Sequence, residues 1–183
     1  MKQLWVIAGA NGAGKTTFYQ RHIEKRNIEF INTDKPASVG YDAAIEVDKQ
    51  PGDKVAKGDS FCMATVFSHP DQVSFLVEAK RRGYRVVLFY IHLGNVELNK
   101  ARVEQRVAQG GHAVPHETIE DHHDRSLKNF LATIPLVDEV QVFDNARADS
   151  ALRFVAKFQN GQLTDQANHW PHWAQSLFQA YLN

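Results

Sequence analysis

Short apolar runs alternate with longer amphipathic stretches along most of the chain. Apolar runs of about four to eight residues bounded by turn-forming residues are typical of buried strands, and apolar positions recurring about every three or four residues are typical of helices. The runs predict strands at 4–8, 28–32, 60–67, 84–91 and 139–143. The amphipathic stretches predict helices at 15–26, 70–82, 96–109 and 115–133. This alternation predicts an α/β fold, a mainly parallel sheet flanked by helices on both faces.

One strand and one weakly patterned region stand out within this order. The run 84–91 is apolar almost throughout, as a strand covered on both faces requires, and we expect it at the centre of the sheet. Residues 38–57 are polar with little periodicity. Pro51-Gly52 predicts a turn in this region, between loosely packed helical pieces.

The C-terminal part follows a different pattern. Residues 152–163 contain Asn160-Gly161, which favours the positive φ angles of a tight turn and predicts a β-hairpin. Residues 170–181 predict an amphipathic helix whose tryptophans, Trp170 and Trp173, pack into the core. We interpret residues 1–183 as one domain, with a C-terminal extension at about 147–183.

Composition narrows the range of partners. The 183 residues include 21 Lys and Arg against 21 Asp and Glu, and this balance argues against a protein that acts mainly on nucleic acid or an anionic membrane. No stretch reaches the ~20 apolar residues needed to span a bilayer. The single Cys62 cannot form an intrachain disulfide. We therefore expect a cytoplasmic protein without membrane contact, and nucleic acid is not favoured as a partner.

A phosphate-binding loop is the strongest chemical signal. Residues 9–16 read GANGAGKT and match G-x-x-x-x-G-K-[ST] in full, between a predicted strand and a predicted helix. Backbone N–H groups of such a loop cradle phosphates, and the helix N-terminus adds positive potential. The predicted nucleotide contacts are Gly9, Ala10, Asn11, Gly12, Ala13, Gly14, Lys15, Thr16 and Thr17. Lys15 is expected on the β- and γ-phosphates of ATP or GTP, and the Thr16 hydroxyl on Mg²⁺. A glycine-rich turn without a ligand is the alternative.

Asp34 is a candidate general base. It follows the second predicted strand, and ligands of open α/β sheets bind beyond the carboxyl ends of the strands. Phosphoryl transfer to an alcohol needs an acceptor for the hydroxyl proton. The alternatives are an outer-sphere magnesium ligand and a residue that only forms a turn.

Two arginines are candidates for stabilising the transferred phosphoryl group. Arg102 and Arg106 are four residues apart and share one face of a predicted helix, so both guanidinium groups could converge on one phosphate. The alternative is that the helix arginines, Arg125 among them, are solvated and form ion pairs with Glu97, Glu104 or Asp121.

Several phrases together resemble the zeta toxin family, and they occur in the family's order. They are IAGANGAGKTTF at 7–18, FINTD at 30–34, TVFSH at 65–69, RVEQR at 102–106, GGHAVP at 110–115, RSL at 125–127 and FDN at 143–145. The resemblance covers about residues 3–146 and is strongest to the short, stand-alone branch of the family. It implies a P-loop kinase that uses ATP to phosphorylate a nucleotide-activated amino sugar, UDP-N-acetylglucosamine, and that a small antitoxin protein holds in check.

The resemblance also assigns residues. It implies that Asp34 is the general base and that Arg102 and Arg106, in a lid segment at about 95–130, neutralise charge on the transferred group. The acceptor side is expected to include Ala64, Thr65, Ser68, His69, His112 and Arg125. His69 and His112 line the acceptor pocket in this interpretation, or they simply cap turns.

The chain departs from the family at one position. Family members usually carry a glutamate before the threonine of the third strand, whereas this sequence has Ala64 before Thr65. Either the natural protein has diverged or a substitution weakens a toxic enzyme. The missing acid keeps a second hypothesis open, a nucleotide-binding regulatory module with little transfer activity. A kinase of polynucleotide ends is the third, and it requires a basic groove.

Overall fold

The structure, a computed structural model, describes residues 1–34, 41–147 and 152–181, and for 41–48 it describes the backbone alone. Seven strands form one sheet: β1 Lys2–Ala8, β2 Glu29–Asn32, β3 Phe61–Thr65, β4 Tyr84–His92, β5 Glu139–Asp144, β6 Arg153–Gln159 and β7 Gln162–Gln166. Their order is β2-β3-β1-β4-β5-β6-β7. The first five strands in this order are parallel, and β6 and β7 are antiparallel to their neighbours. The predicted α/β fold with a mainly parallel sheet is confirmed, and β4 lies in its middle.

The helices follow the strands as the alternation predicts. They are α1 Lys15–His22, α2 Tyr41–Lys57, α3 Pro70–Arg81, α4 Val96–Ala108, α5 His116–Thr133 and α6 His172–Phe178, with 3₁₀ turns at Glu24–Arg26 and Gln179–Tyr181. None of these helices, within the part of the chain that the structure describes, is both long and apolar enough to cross a membrane.

Apolar side chains cover the two faces of the sheet unequally. The larger cluster joins the sheet to Leu76 of α3, Phe130 of α5 and Phe178 of α6, all fully buried. The smaller cluster lies under α1, where Phe18 contacts the ring of Phe89 at a centroid distance of 5.2 Å. Phe18 is buried and Phe89 is half-buried, and their contact holds the short α1, and therefore the P-loop that precedes it, against the sheet.

The turn predicted at Pro51-Gly52 is wrong. The helix α2 runs through both residues from Tyr41 to Lys57, and Pro51 lies inside it. A proline inside a helix costs about 3 kcal/mol. Contacts of the last turns oppose this cost, because Val55 is buried in the larger cluster and the Lys54 ammonium lies 2.6 Å from a carboxylate oxygen of Glu29. The first residues of the weakly patterned region, 38–40, lie outside the described residues.

The C-terminal hairpin matches its prediction. Strands β6 and β7 are antiparallel and flank Asn160 and Gly161, whose φ angles are 49° and 80°. Positive φ at both positions is what a type I′ turn requires. Because β6 pairs with β5, the hairpin extends the parallel sheet by two antiparallel strands.

Candidate active site

The P-loop connects the end of β1 to the start of α1. Gly14 precedes the helix with φ of 102°, in the left-handed region that favours glycine. A Cβ atom at Gly14 would lie 2.7 Å from Nδ2 of Asn145, so the loop also has no room for a side chain there. Both observations support the motif, which requires that the backbone approach its surroundings closely at this position.

Lys15 is buried at the base of the loop. Its side chain is 8% exposed, and Nζ donates hydrogen bonds to the carbonyl oxygens of Gly9 at 2.8 Å and Ala10 at 3.4 Å. The same Nζ lies 2.9 Å from Oδ2 of Asp34. The ammonium therefore has three oxygen partners inside the protein, and phosphate oxygens would take the place of some of them when a nucleotide binds.

Asp34 is fixed between the P-loop and the end of β3. Its Oδ1 accepts a hydrogen bond from the backbone N–H of Val66 at 2.6 Å, while Oδ2 contacts Lys15. Its own backbone N–H donates to Oδ1 of Asn32 at 3.0 Å. The side chain stays 25% exposed. This carboxylate is oriented from both sides and still reachable from solvent, as a proton acceptor must be.

The segment after β3 has an unusual backbone. Phe67 is fully buried and has a φ of 63°, a conformation that bulky residues rarely adopt. Its N–H donates to Oγ1 of Thr65 at 3.1 Å, and its carbonyl oxygen accepts from Nδ2 of Asn129 at 3.0 Å. Such a backbone conformation costs about 1–3 kcal/mol of folding free energy, and residues that adopt it concentrate at functional sites. The strained turn lies directly beside Val66, which holds Asp34.

Ala64 has no polar role in its side chain. It is 1% exposed and belongs to the smaller apolar cluster, together with Ile7 and Ala13. Its carbonyl oxygen accepts hydrogen bonds from the backbone N–H of Thr33 at 3.0 Å and from the hydroxyl of Thr33 at 2.9 Å. The Ala64 side chain therefore only packs in the apolar cluster, and its backbone carbonyl holds Thr33, which adjoins Asp34.

The two lid arginines make different contacts. Nη2 of Arg102 donates to the backbone carbonyl of Asn145 at 2.7 Å, and burial lowers the pKa of the Arg102 guanidinium. Nη2 of Arg106, which is exposed, donates to the carbonyl of His112 at 3.1 Å. Neither arginine forms an ion pair within the described residues. Arg102 lies at the P-loop, since a Cβ at Gly12 would be 3.3 Å from its Cβ, whereas Arg106 contacts the loop after α4.

The remaining predicted acceptor residues lie at the surface or on the strained turn. Arg125 pairs with Asp121 at 3.0 Å, one of the ion pairs that the solvated-arginine alternative expects. His69 caps α3, where Nδ1 accepts from the N–H of Asp71 at 3.4 Å. Ser68, between Phe67 and His69, is half-buried. Across residues 1–34, 41–147 and 152–181, no hydrogen bond or ion pair joins these side chains to Lys15 or Asp34.

Three polar side chains that are not among the predicted site residues hold the P-loop in place. Nδ2 of Asn99 donates to the carbonyl of Asn11 at 2.6 Å, and Nδ2 of Asn145 donates to the carbonyl of Ala13 at 2.9 Å. Nδ1 of His122 lies 2.7 Å from Oδ1 of Asn11, so the amide oxygen selects the tautomer with a proton on Nδ1. Asn145 belongs to the FDN phrase, and this was the one signal in the sequence for its position.

Buried histidines lie behind these braces. Nδ1 of His123 lies 3.1 Å from Oδ1 of Asn99. The rings of His123 and His92 are in contact, with their centroids 5.0 Å apart. His92 is 4% exposed, and burial, with repulsion from His123 as a smaller cause, lowers its pKa to about 3. Burial also lowers the pKa values of His122 and His123. All three rings are therefore neutral near pH 7.

Acidification is expected to destabilise the fold through His92. The pKa of His92 is about 3 in the folded protein and about 6.5 in the unfolded chain. Between these pH values the unfolded chain binds more protons than the folded protein, so the free energy of unfolding decreases as the pH is lowered. From about pH 7 to about pH 4.5 the loss is expected to be about 2–3 kcal/mol. Urea unfolding at both values measures it. His92→Phe should lose this contribution and His172→Gln, at an exposed site, should keep it; equal pH dependence in both variants would contradict the prediction.

Two oxygen groups beside the P-loop fit an Mg²⁺ ion that arrives with nucleotide phosphates. The Thr16 hydroxyl is exposed in the first turn of α1, and the Asp34 carboxylate has lone pairs beyond those that Val66 and Lys15 use. Mg²⁺ typically takes only about one or two protein oxygens and completes its shell with phosphate and water. No group of three or more His, Cys, Asp or Glu side chains in the described ranges could hold a metal ion on its own.

Two groups of solved structures have the same fold as this chain. The chain superposes on AvrRxo1-ORF1:AvrRxo1-ORF2, one structure of which is a complex with ATP, with a TM-score of 0.68 and 16% identity over 99% of this chain. It spans 63% of the length of that chain. A structure from the PezAT chromosomal toxin-antitoxin system of Streptococcus pneumoniae gives a TM-score of 0.65 and 18% identity, covering 100% of this chain and 84% of that one. At such identities the similarity shows the fold.

Sequence comparisons give the family. An uncharacterized protein of Haemophilus influenzae is 29% identical in an alignment of 133 residues, and the match covers 64% of this chain and 95% of that protein. The family model described as Zeta toxin matches residues 53–153, more than half of the chain. The P-loop precedes the matched segment, so the motif and the family match are independent signals. The chain belongs to the zeta toxin family.

Proposed function

We propose that this protein is an ATP- and Mg²⁺-dependent kinase that transfers the γ-phosphoryl group to a hydroxyl of a small metabolite. The observation that carries the proposal is the distance of 2.9 Å between Nζ of Lys15 and Oδ2 of Asp34. The lysine that contacts phosphates in a P-loop is thereby beside a carboxylate that can accept a proton. Phosphoryl transfer to an alcohol needs these two groups together.

The described contacts suggest an order of events. When ATP binds, its phosphate oxygens replace the carbonyl oxygens of Gly9 and Ala10 as hydrogen-bond acceptors of the Lys15 ammonium. They also weaken the ion pair between Lys15 and Asp34. The acceptor hydroxyl then forms a bond to the γ-phosphorus and gives its proton to Asp34, and the bond from this phosphorus to the β–γ bridging oxygen breaks to leave ADP. Arg102, at the P-loop, offsets charge on the transferred group. When bound through Thr16, Mg²⁺ supplies further neutralisation of phosphate charge.

The acceptor and the partner are the finer part of the proposal. Family membership supports a nucleotide sugar such as UDP-N-acetylglucosamine as acceptor, with Thr65, Ser68, His69, His112 and Arg125 on the acceptor side and Arg106 closing over the transferred phosphate. A small antitoxin protein is the proposed partner, supported by the toxin-antitoxin origin of the similar pneumococcal structure. The cytoplasm, where ATP is available, is the proposed compartment.

Labelled ATP and a panel of hydroxylated metabolites test the proposal. Asp34→Asn removes the proton acceptor but keeps its size, so turnover is expected to fall about a thousandfold while ATP affinity changes by less than about threefold. Asp59→Asn is the matched control, because Asp59 is exposed and pairs with Lys54 on the surface. Transfer that proceeds at the wild-type rate in Asp34→Asn, or no transfer to any metabolite by the folded wild type, would defeat the proposal.

Ala64 favours one second candidate, a nucleotide-binding regulatory module. Its buried methyl group supplies no acid at the position where the family resemblance implies a glutamate. In that case ATP should change the affinity for a protein partner equally in the wild type and in Asp34→Asn, with no labelled product from either.

A further inference from the structure

The C-terminal helix α6 lies outside the segment that matches the family, yet one of its side chains contacts the end of β5 beside the P-loop. We propose that Trp173 is a positioning residue whose indole N–H fixes Asp144 and, through the adjoining Asn145, both the P-loop and Arg102. The inference rests on the proposed function, since the property that it controls is the binding of ATP.

The first link is a hydrogen bond to a buried carboxylate. Nε1 of Trp173 donates to Oδ1 of Asp144 at 3.2 Å, and the backbone N–H of Ala146 approaches the same oxygen at 3.4 Å. Asp144 is the last residue of β5 and is 3% exposed. A buried carboxylate needs its donors, because an unsatisfied one costs several kcal/mol. Loss of the indole N–H therefore forces the end of β5 to readjust.

The second link is Asn145, which follows Asp144 directly. Its side-chain Nδ2 donates to the carbonyl of Ala13 in the P-loop at 2.9 Å, and its carbonyl oxygen accepts from Nη2 of Arg102 at 2.7 Å. Its backbone N–H donates to the carbonyl of His92 at 2.9 Å. One residue thus holds the phosphate loop and a candidate catalytic arginine at once, and Asp144 sets its position.

The indole is seated closely enough to act as a fixed donor. The rings of Trp173 and His92 are in contact, with their centroids 4.6 Å apart. A Cβ atom added at Gly94 would lie 2.6 Å from Cδ1 of Trp173. Helix α6 is itself anchored, because Phe178 is fully buried and contacts the ring of Phe158 at 5.3 Å. Little freedom remains for Trp173 to move away from Asp144.

Trp170 provides a matched control three residues away. Its Nε1 also donates a hydrogen bond, at 3.0 Å, but to the carbonyl of Val155 in β6. Both indoles contact Phe178, with ring centroids 5.6 Å away for Trp170 and 6.3 Å away for Trp173. Replacing either by phenylalanine removes one indole N–H from the same aromatic cluster, and only Trp173 is linked to the P-loop.

The test compares Trp173→Phe with Trp170→Phe. We expect Trp173→Phe to weaken ATP binding about tenfold, the loss that follows when a buried charged group loses one of its hydrogen bonds, and to lower kcat as well because Arg102 shifts. Trp170→Phe is expected to bind ATP like the wild type. Calorimetry gives the affinity, transfer assays separate kcat from KM, and urea unfolding measures the stability that each variant loses.

A second variant keeps α6 intact. Asn145→Ala is expected to weaken ATP binding at least as much as Trp173→Phe, and the double variant should bind no more weakly than Asn145→Ala, because Trp173 acts through Asn145. Equal ATP affinity in Trp173→Phe and Trp170→Phe, or full additivity in the double variant, would overturn the inference. A wild type that binds no ATP would instead overturn the proposed function, and the two failures are distinct.

Discussion

Replacing Lys15 with methionine is expected to lower kcat/KM for ATP by about a thousandfold. Methionine keeps the length and apolar character of the side chain, which is 8% exposed, and removes the ammonium that lies 2.9 Å from Asp34. The lost charge acts on developing negative charge in a site with little water, where removal of one such group costs about a hundredfold to a thousandfold or more. Steady-state phosphoryl transfer across a range of ATP concentrations measures the change.

Lys25→Met is the control for this substitution. Lys25 is exposed on the 3₁₀ turn that follows α1, so the same chemical change there should leave transfer unaltered. If Lys15→Met kept more than about a tenth of the wild-type kcat/KM, the P-loop lysine would have no major part in catalysis.

The second large effect is expected at Gly9, the first residue of the P-loop. A Cβ atom there would lie 2.4 Å from the carbonyl oxygen of Ile91, which belongs to the central strand β4 and cannot move cheaply. Gly9 also has a φ of 154°, in the range of positive φ angles that residues with a side chain rarely adopt. Gly9→Ala is expected to lower the free energy of unfolding by about 3 kcal/mol, at the upper end of the cost of overpacking, and to prevent ATP binding. Urea unfolding and calorimetry measure the two losses.

The matched substitution Gly52→Ala should act in the opposite direction. Gly52 lies in the interior of α2 and no atom lies within 4 Å of an added Cβ. Alanine is favoured over glycine in helices by about 1 kcal/mol, so this variant should be more stable than the wild type and bind ATP normally. Equal stability of the two variants would show that Gly9 does not have the close neighbour described above.

The order of the elements could be predicted because local signals agree with the tertiary structure. The apolar run at 84–91 is buried on both sides as β4, and Asn160-Gly161 forms the tight turn that its backbone preference requires. The P-loop motif follows a strand and begins a helix. In each case the information lies within a few neighbouring residues.

The continuous helix α2 could not be predicted for the opposite reason. Its local sequence contains Pro51 and Gly52, both of which disfavour a helix interior. The contacts that support its last turns come from elsewhere in the chain, since Tyr84 donates its hydroxyl to the carbonyl of Lys54 at 3.1 Å and Glu29 pairs with the Lys54 side chain. Tertiary contacts outweigh the low helix propensity of these two residues, and such contacts cannot be recognised from the neighbouring sequence.

The site divides in the same way. Lys15 and Asp34 could be proposed as neighbours because both follow parallel strands at the same edge of the sheet. The braces could not, since Asn99 is 88 residues from its partner Asn11 and Asn145 is 132 residues from Ala13. Asn99 has no local signal at all, and the FDN phrase marks Asn145 without indicating its distant partner.

The two lid arginines bind different carbonyl groups although they lie on one face of α4. Arg102 and Arg106 share a helix face, but Arg102 donates to the carbonyl of Asn145 and Arg106 to that of His112. Periodicity predicts the shared face and leaves the side-chain direction open. Their convergence on one phosphate stays a prediction, and Arg106→Ala compared with Arg102→Ala in transfer assays would measure each contribution.

The most direct test of the central claim is a calorimetric titration of the folded protein with ATP in the presence of Mg²⁺. If the P-loop amides and Lys15 hold the phosphates, the wild type will bind one ATP per chain and Lys15→Met will bind at least about a hundredfold more weakly. No heat of binding from folded wild-type protein, or the same affinity in Lys15→Met, would contradict the claim that this loop is the nucleotide site.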